Sequence, residues 1–139
     1  MKKLMIIIFV FILLIVGNAQ TKDFTLLDYF SGEYTAYTTK NAEKDAINLG
    51  FCYMNSKPVT TGVVGESIVV NDLEVGKAIE TLQARVVKTE YLDNGTTIIY
   101  AYTNLILDKV QIDGKHVNIQ IATNDDYSVI GWPLILGSY

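Results

Sequence analysis

The alternation of apolar and polar residues in the second half of the chain predicts strands joined by tight turns. In ARVVKTEYLDNGTTIIYAYT, the pair Asn94-Gly95 separates two alternating runs. This pair favours a type I′ turn, because both central residues must take positive φ. A two-residue loop at this point sets Tyr91 opposite Ile98. The pattern therefore predicts a first hairpin over residues 86–103.

A second hairpin is predicted over residues 109–123. In KVQIDGKHVNIQIAT, Asp113-Gly114 repeats the turn signal between two alternating runs. The apolar members of these runs are expected to face a core, and the polar members to face water. The predicted solvent face carries Gln111, His116, Asn118 and Gln120.

One helix is predicted over about residues 72–83. Asn71 can cap its first turn, with Glu74 placed to reach back. An apolar stripe at helical spacing follows, made of Val75, Ala78, Ile79 and Leu82. The preceding run Ser67–Val70 is expected to form a strand.

The first half of the chain has weaker patterns. EYTAYTT is compatible with a strand, and residues 41–49 with a short helix ended by Gly50. Near the other end, Pro133 is expected to interrupt the last strand. Together the patterns predict an α+β fold, a mostly antiparallel sheet with one main helix packed on one face.

The first residues predict a signal peptide over 1–19. Lys2 and Lys3 precede thirteen uninterrupted apolar residues, 4–16, which span roughly 20 Å as a helix and fall short of a bilayer core. Small residues then suit cleavage between Ala19 and Gln20. The alternative is an uncleaved anchor. Either way, residues 20–139 are expected to form one domain outside the cytoplasm, reaching the membrane only through an uncleaved leader.

Charge and composition argue against nucleic-acid binding and against a catalytic cysteine. The chain carries 15 acidic and 11 basic residues, and both lysines of the leader are lost on cleavage. The resulting acidic domain is unsuited to nucleic acid. Cys52 lies among apolar neighbours and is expected to be a buried, inert thiol.

Catalytic and cofactor motifs are not apparent. The single histidine, His116, is expected to be exposed on a hairpin without a chemical task, and no metal-ligand or nucleotide-binding spacing is present. We therefore expect no cofactor and no metal.

The chain contains nine tyrosines. We expect Tyr91, Tyr100 and Tyr102 to lie under the helix; the alternative is an aromatic platform for sugars or bases.

The segments GESIVVND, LQARVVKTEYLDNGTTIIYAYTNLI and KHVNIQIATNDDYSVIGWPLILGSY resemble the closing segments of small, leader-bearing proteins of clostridia-type Gram-positive bacteria. Some of these look loosely like the YwmB family. The resemblance covers roughly residues 66–139 and implies a TATA-box-binding-protein-like α+β fold. It implies no catalytic residues.

Two classes of function remain open. The first is a non-enzymatic envelope or secreted module that binds a protein or a glycan, with Gln111, His116, Asn118 and Gln120 as candidate contacts. The simpler interpretation of those residues is a composition rich in amides and poor in charge. The second class is a small extracytoplasmic hydrolase that uses carboxylates, for which Glu66 and Glu90 are the candidates.

Overall fold

The computed structural model describes residues 24–39, 45–56 and 62–136. The predicted leader and its cleavage site, Ala19 and Gln20, lie outside the described residues. A short 3-10 helix, Leu26–Asp28, comes first. The elements that follow are β1 Gly32–Tyr37, β2 Ala46–Cys52, β3 Gly65–Val70, α1 Val75–Thr81, β4 Ala84–Tyr91, β5 Thr97–Thr103, β6 Val110–Ile112, β7 Lys115–Val117, β8 Ile119–Thr123 and β9 Ser128–Trp132.

The strands confirm the predicted α+β class with a mostly antiparallel sheet. Seven of them form one sheet in the order β2-β1-β3-β9-β8-β5-β4, and β6 pairs with β7 in a separate two-stranded sheet. Each neighbouring pair is antiparallel. The edges of the large sheet are therefore β2 and β4.

The helix is shorter than predicted, although its apolar stripe is confirmed. Asn71 does not cap it: the N-cap position is Glu74, which makes no side-chain capping bond. The reason is that Asp72 takes a left-handed conformation with φ of 54°, so the chain is still turning there. Ala78 and Leu82 are buried in the core. No helix within the described ranges is long and apolar enough to cross a membrane.

Both faces of the large sheet are covered. On one, here called the helix face, Ala78 and Leu82 pack with Ile99 and Ala101 in the larger core cluster. On the other, here called the tail face, residues after β9 fold back and bury Ile135 in a second cluster. Strand β9 ends before Pro133, as predicted. The other members of the tail-face cluster are Ile98, Ala122 and Val129.

The first hairpin turns at the predicted place, but the predicted type I′ turn is wrong and the register is shifted by one residue. Glu90, not Tyr91, lies opposite Ile98. The loop has three residues, because Leu92 N donates to Thr96 O at 2.8 Å and Gly95 alone takes positive φ, 84°. This is a type I turn closed by a left-handed glycine. The Asn94 side chain supports it by accepting a bond from Thr96 N at 3.1 Å.

The second predicted hairpin is divided at Asn118. Strands β6 and β7 form the tight hairpin, with Gln111 opposite His116 as predicted. Beyond Asn118 the chain enters the large sheet as β8, between β5 and β9. The solvent face predicted for 109–123 is therefore limited to β6 and β7.

The short helix predicted for residues 41–49 is wrong where it can be compared, since β2 begins at Ala46. Residues 41–44 lie outside the described residues. The strand has a bulge at Leu49, opposite the Tyr34–Thr35 step of β1, and Gly50 follows with φ of 67°. A left-handed glycine suits a bulge as well as a helix end, which explains the misinterpretation.

Candidate functional site

The four predicted contact residues do not form one surface. Gln111 and His116 are exposed on the hairpin β6–β7 and lie directly opposite each other. Asn118 and Gln120 are buried, with exposed fractions of 0% and 5%. The prediction that all four face solvent is therefore wrong for the second pair.

Asn118 satisfies backbone groups inside the fold. Its side-chain oxygen accepts from Thr103 N at 2.8 Å. Its amide donates to Thr103 O at 2.8 Å and to Ile106 O at 3.1 Å. These bonds hold the irregular chain after β5 against the break between β7 and β8. The residue is structural, because no part of it reaches solvent.

Gln120 is also structural. It lies on the tail face, where its side-chain oxygen accepts from Ile135 N at 2.8 Å. This bond fastens the C-terminal residues over the sheet. An amide is suitable there, since the folded-back tail leaves a backbone N–H without a strand partner.

The two carboxylates proposed for a hydrolase lie far apart. Glu66 is on β3 and Glu90 on β4, and these strands are four positions apart in the sheet, or roughly 19 Å at about 4.8 Å per strand. Glu66 packs on the helix face opposite Trp132. Glu90 lies opposite Ile98 on the tail face. The pair cannot act on one bond.

Glu66 is 1% exposed and is held by four hydrogen bonds. Its Oε1 accepts from Leu26 N at 3.0 Å and from Trp132 Nε1 at 2.5 Å. Its Oε2 accepts from the hydroxyls of Thr25, at 2.6 Å, and Tyr34. Burial, and then the bond to Glu66, raises the pKa of Tyr34 far above its ordinary value, so this phenol stays a donor.

The predicted tyrosine row does not lie under the helix. Tyr100 and Tyr102 are half-buried on the opposite, tail face, and Tyr91 is 81% exposed. The prediction chose the wrong face of β5, since Ile99 and Ala101 pack with the helix instead. The guanidinium of Arg85 lies 5.3 Å from the ring centre of Tyr102.

Lys88 joins the edge strand β4 to the hairpin β6–β7. Its Nζ lies 2.7 Å from Asp113 Oδ2 and 2.9 Å from Glu90 Oε1. The hydrogen bond to Asp113, followed by that to Glu90, raises the pKa of Lys88. The same bond from Lys88 lowers the pKa of Asp113.

Cys52 is half-buried, not fully buried as predicted.

A run of exposed apolar side chains was not predicted. It follows β2 and the turn after it, and no charged residue occurs between Ala46 and Ser56. The exposed fraction reaches 62% for Phe51 and 74% for Tyr53. We call this run the β2 surface; its members are Ile47, Leu49, Phe51, Tyr53 and Met54. In the register Ile47 lies on the helix face and Phe51 on the tail face, so the run follows the edge of the sheet. The uncharged run was the signal in the sequence.

The β2 surface adjoins an open cleft of about 570 Å³. The turn beyond β2 is held beside it by Met54 N, which donates to Ser31 Oγ at 2.7 Å, and by Asn55 N, which donates to Leu27 O at 2.5 Å. The cleft is lined by Ser31, Gly32, Glu33, Gly50, Phe51, Val69, Val70 and Asn71. Exposed aromatic residues beside a cleft are typical of recognition sites.

No group of three or more His, Cys, Asp or Glu side chains within the described ranges is placed to hold a metal ion. No protein-family model, curated protein or solved structure matches the chain. The resemblance to YwmB-like proteins stays a prediction.

Proposed function

We propose that the chain is an exported, non-enzymatic module that binds a protein partner through the β2 surface. The observation that carries the proposal is the exposure of apolar side chains along an uncharged edge strand. Contiguous apolar areas on a protein surface mark interaction sites. Here the exposed apolar side chains follow β2, which has no strand beyond it among the described residues.

The two edges of the large sheet differ in a way that supports this assignment. Proteins protect edge strands with charged side chains, because an unpaired edge accepts other strands. Strand β4 carries Arg85, Lys88 and Glu90. Strand β2 has no charge and only the bulge at Leu49. An extended segment of another protein can therefore pair along β2 and place its side chains against Phe51 and Tyr53.

Export is proposed from the leader. The basic pair, the apolar run and the small residues before Gln20 direct residues 20–139 out of the cytoplasm. The partner is accordingly a protein of the cell envelope or its surroundings. If the leader is retained, it tethers the module to the membrane.

The proposal is tested by photocrosslinking in the producing cells. A photoreactive phenylalanine at position 53 is expected to form an adduct with the partner, and the same probe at position 107 is not. Leu107 is the matched control, because it is 90% exposed and outside the β2 surface. Equal labelling from both positions would contradict the proposal.

A paired substitution checks the contribution of the side chains. Phe51→Thr with Tyr53→Thr keeps strand propensity and is expected to weaken partner capture at least tenfold. Tyr91→Thr with Leu107→Thr removes comparably exposed side chains elsewhere and is expected to leave capture unchanged. Adducts that survive protease digestion but are lost on glycosidase treatment would assign the surface to a glycan instead.

A further inference from the structure

The cleft beside the β2 surface contains an acidic and an aromatic side chain directly opposite each other. Glu33 of β1 pairs with Phe51 of β2 in the strand register. Directly opposed residues of an antiparallel pair lie on the same face, with Cβ atoms about 5 Å apart. Both side chains line the cleft. A group that enters it can contact the carboxylate and the ring together.

Glu33 has no cationic partner among the described residues. Its side chain is exposed, and its recorded contact is a bond from Asn48 Nδ2 to Oε1 at 3.4 Å. The other residues that line the cleft carry no charge. The chain as a whole has a net charge of −4. The cleft is therefore complementary to a positive charge.

Phe51 supplies the second half of such a site. Its ring contacts Tyr53 nearly perpendicularly, with centroids 5.1 Å apart, yet 62% of the residue is still exposed. The face of an aromatic ring attracts ammonium and guanidinium groups. Gly50 also lines the cleft, and no heavy atom lies within 4 Å of the position that a Cβ would occupy there, so the cleft is open at this point.

We propose that this cleft binds the lysine or arginine side chain of a protein partner whose backbone lies along β2. The inference rests on the proposed function and specifies its partner chemistry. The charge is taken by Glu33, and the methylene stem and planar head of the side chain pack on Phe51. Arginine is the better occupant, because its guanidinium both stacks on rings and pairs with carboxylates.

The test uses the protein as recovered from its cells and two synthetic peptides. The probe is acetyl-Thr-Val-Thr-Arg-Thr-Val-Thr-amide, and its twin contains citrulline, which has nearly the same shape as arginine but no charge. Binding is followed through the NMR shifts of the Gly32, Gly50 and Phe51 amides. The arginine peptide is expected to bind roughly fivefold more tightly, a preference that decreases with added salt.

Three variants test whether the preference for the arginine peptide arises in the cleft. Glu33→Gln is expected to abolish it, and Phe51→Leu to reduce it. Glu74→Gln removes the same charge from an exposed position at the start of α1 and is expected to leave it intact. Equal binding of the two peptides, no binding of either, or a preference that survives Glu33→Gln would overturn the inference. If only the inference fails, crosslinking from position 53 persists; if the proposed function fails, that crosslinking is lost too.

Discussion

At the scale of single residues, Glu66 is the most constrained side chain that the structure describes. Its oxygens receive bonds from three separate parts of the chain: the start of the 3-10 helix, β1 and β9. Within the described residues no cation pairs with it. The two N–H groups that bond to Oε1 can only donate a hydrogen bond. The two hydroxyls that bond to Oε2 can either donate or accept one.

This asymmetry predicts different effects for two substitutions of Glu66. In Glu66→Gln, the amide oxygen can replace Oε1 and the NH₂ group can donate to the two hydroxyls, so the loss is expected to be about 1 kcal/mol or less. Glu66→Ala leaves two N–H groups without an acceptor and opens a cavity, and is expected to cost roughly 3–5 kcal/mol. Urea unfolding measures both. Equal losses would mean that the charge itself is required.

The buried amides give a second prediction at this scale. Asn118→Ala removes the side-chain hydrogen bonds to three backbone groups and is expected to lower the free energy of unfolding by roughly 2–4 kcal/mol. Gln111→Ala with His116→Ala, both at exposed positions, is expected to change it by less than about 0.5 kcal/mol. Thermal unfolding separates the two cases. A neutral Asn118→Ala would contradict the structural role. A test of ligand binding by the hairpin should therefore replace only Gln111 and His116, because replacing the buried amides would also destabilise the fold.

At the scale of elements, β5 has two buried faces. Ile98 belongs to the tail-face cluster and Ile99 to the helix-face cluster, with exposed fractions of 1% and 8%. The tail face is covered by Ile135, which comes from the far end of the described chain. A strand with one solvent-exposed face would tolerate a charged residue at every second position. In β5 the adjacent residues Ile98 and Ile99 are both buried, so neither position can accept a charge.

We therefore expect Ile98→Asp and Ile99→Asp to be destabilising by several kcal/mol each, because each buries an unpaired charge. Thr89→Asp, at an exposed position of the neighbouring β4, is the control and is expected to be nearly neutral. Chemical denaturation of the three variants checks this. A mild effect from either isoleucine would show that its face is open to water.

The ionic contact between β4 and the hairpin β6–β7 depends on pH. Lys88 lowers the pKa of Asp113, so this contact contributes stability above the ordinary carboxyl pKa of about 3.9 and loses it as the pH falls through the lowered value. NMR titration of the Asp113 side chain is expected to show the lowered pKa, and Lys88→Gln to restore the ordinary one. An unchanged midpoint in that variant would contradict the assignment.

At the scale of the whole molecule, the predicted leader, residues 1–19, ends only a few residues before the first described residue. Phe24, the first described residue, packs against Tyr29 and Trp132, with ring centroids 5.7 and 5.9 Å apart. N-terminal sequencing of the protein recovered outside the cell is expected to start at Gln20. Recovery of the intact Met1 form in the membrane fraction would favour an anchor, and would place the domain directly at the membrane surface.

The sequence alone determined the α+β class, the positions of both glycine turns, the apolar stripe of α1 and the pairing of Gln111 with His116. These features depend on residues close in the chain, whose spacing and backbone preferences are local properties. It did not determine the strand β2, since an uncharged apolar run ended by glycine is compatible with a helix as well as a bulged edge.

Only the tertiary structure decided which polar residues are buried and which apolar residues are exposed. Gln120 is buried because the C-terminal tail covers it, whereas Phe51, on the edge strand β2, stays 62% exposed. Packing likewise decided which face of β5 lies beneath the helix, where Ile99 and Ala101 are found instead of the tyrosines. Burial results from contacts between segments distant in sequence, and the alternation within one strand carries no information about what covers each face.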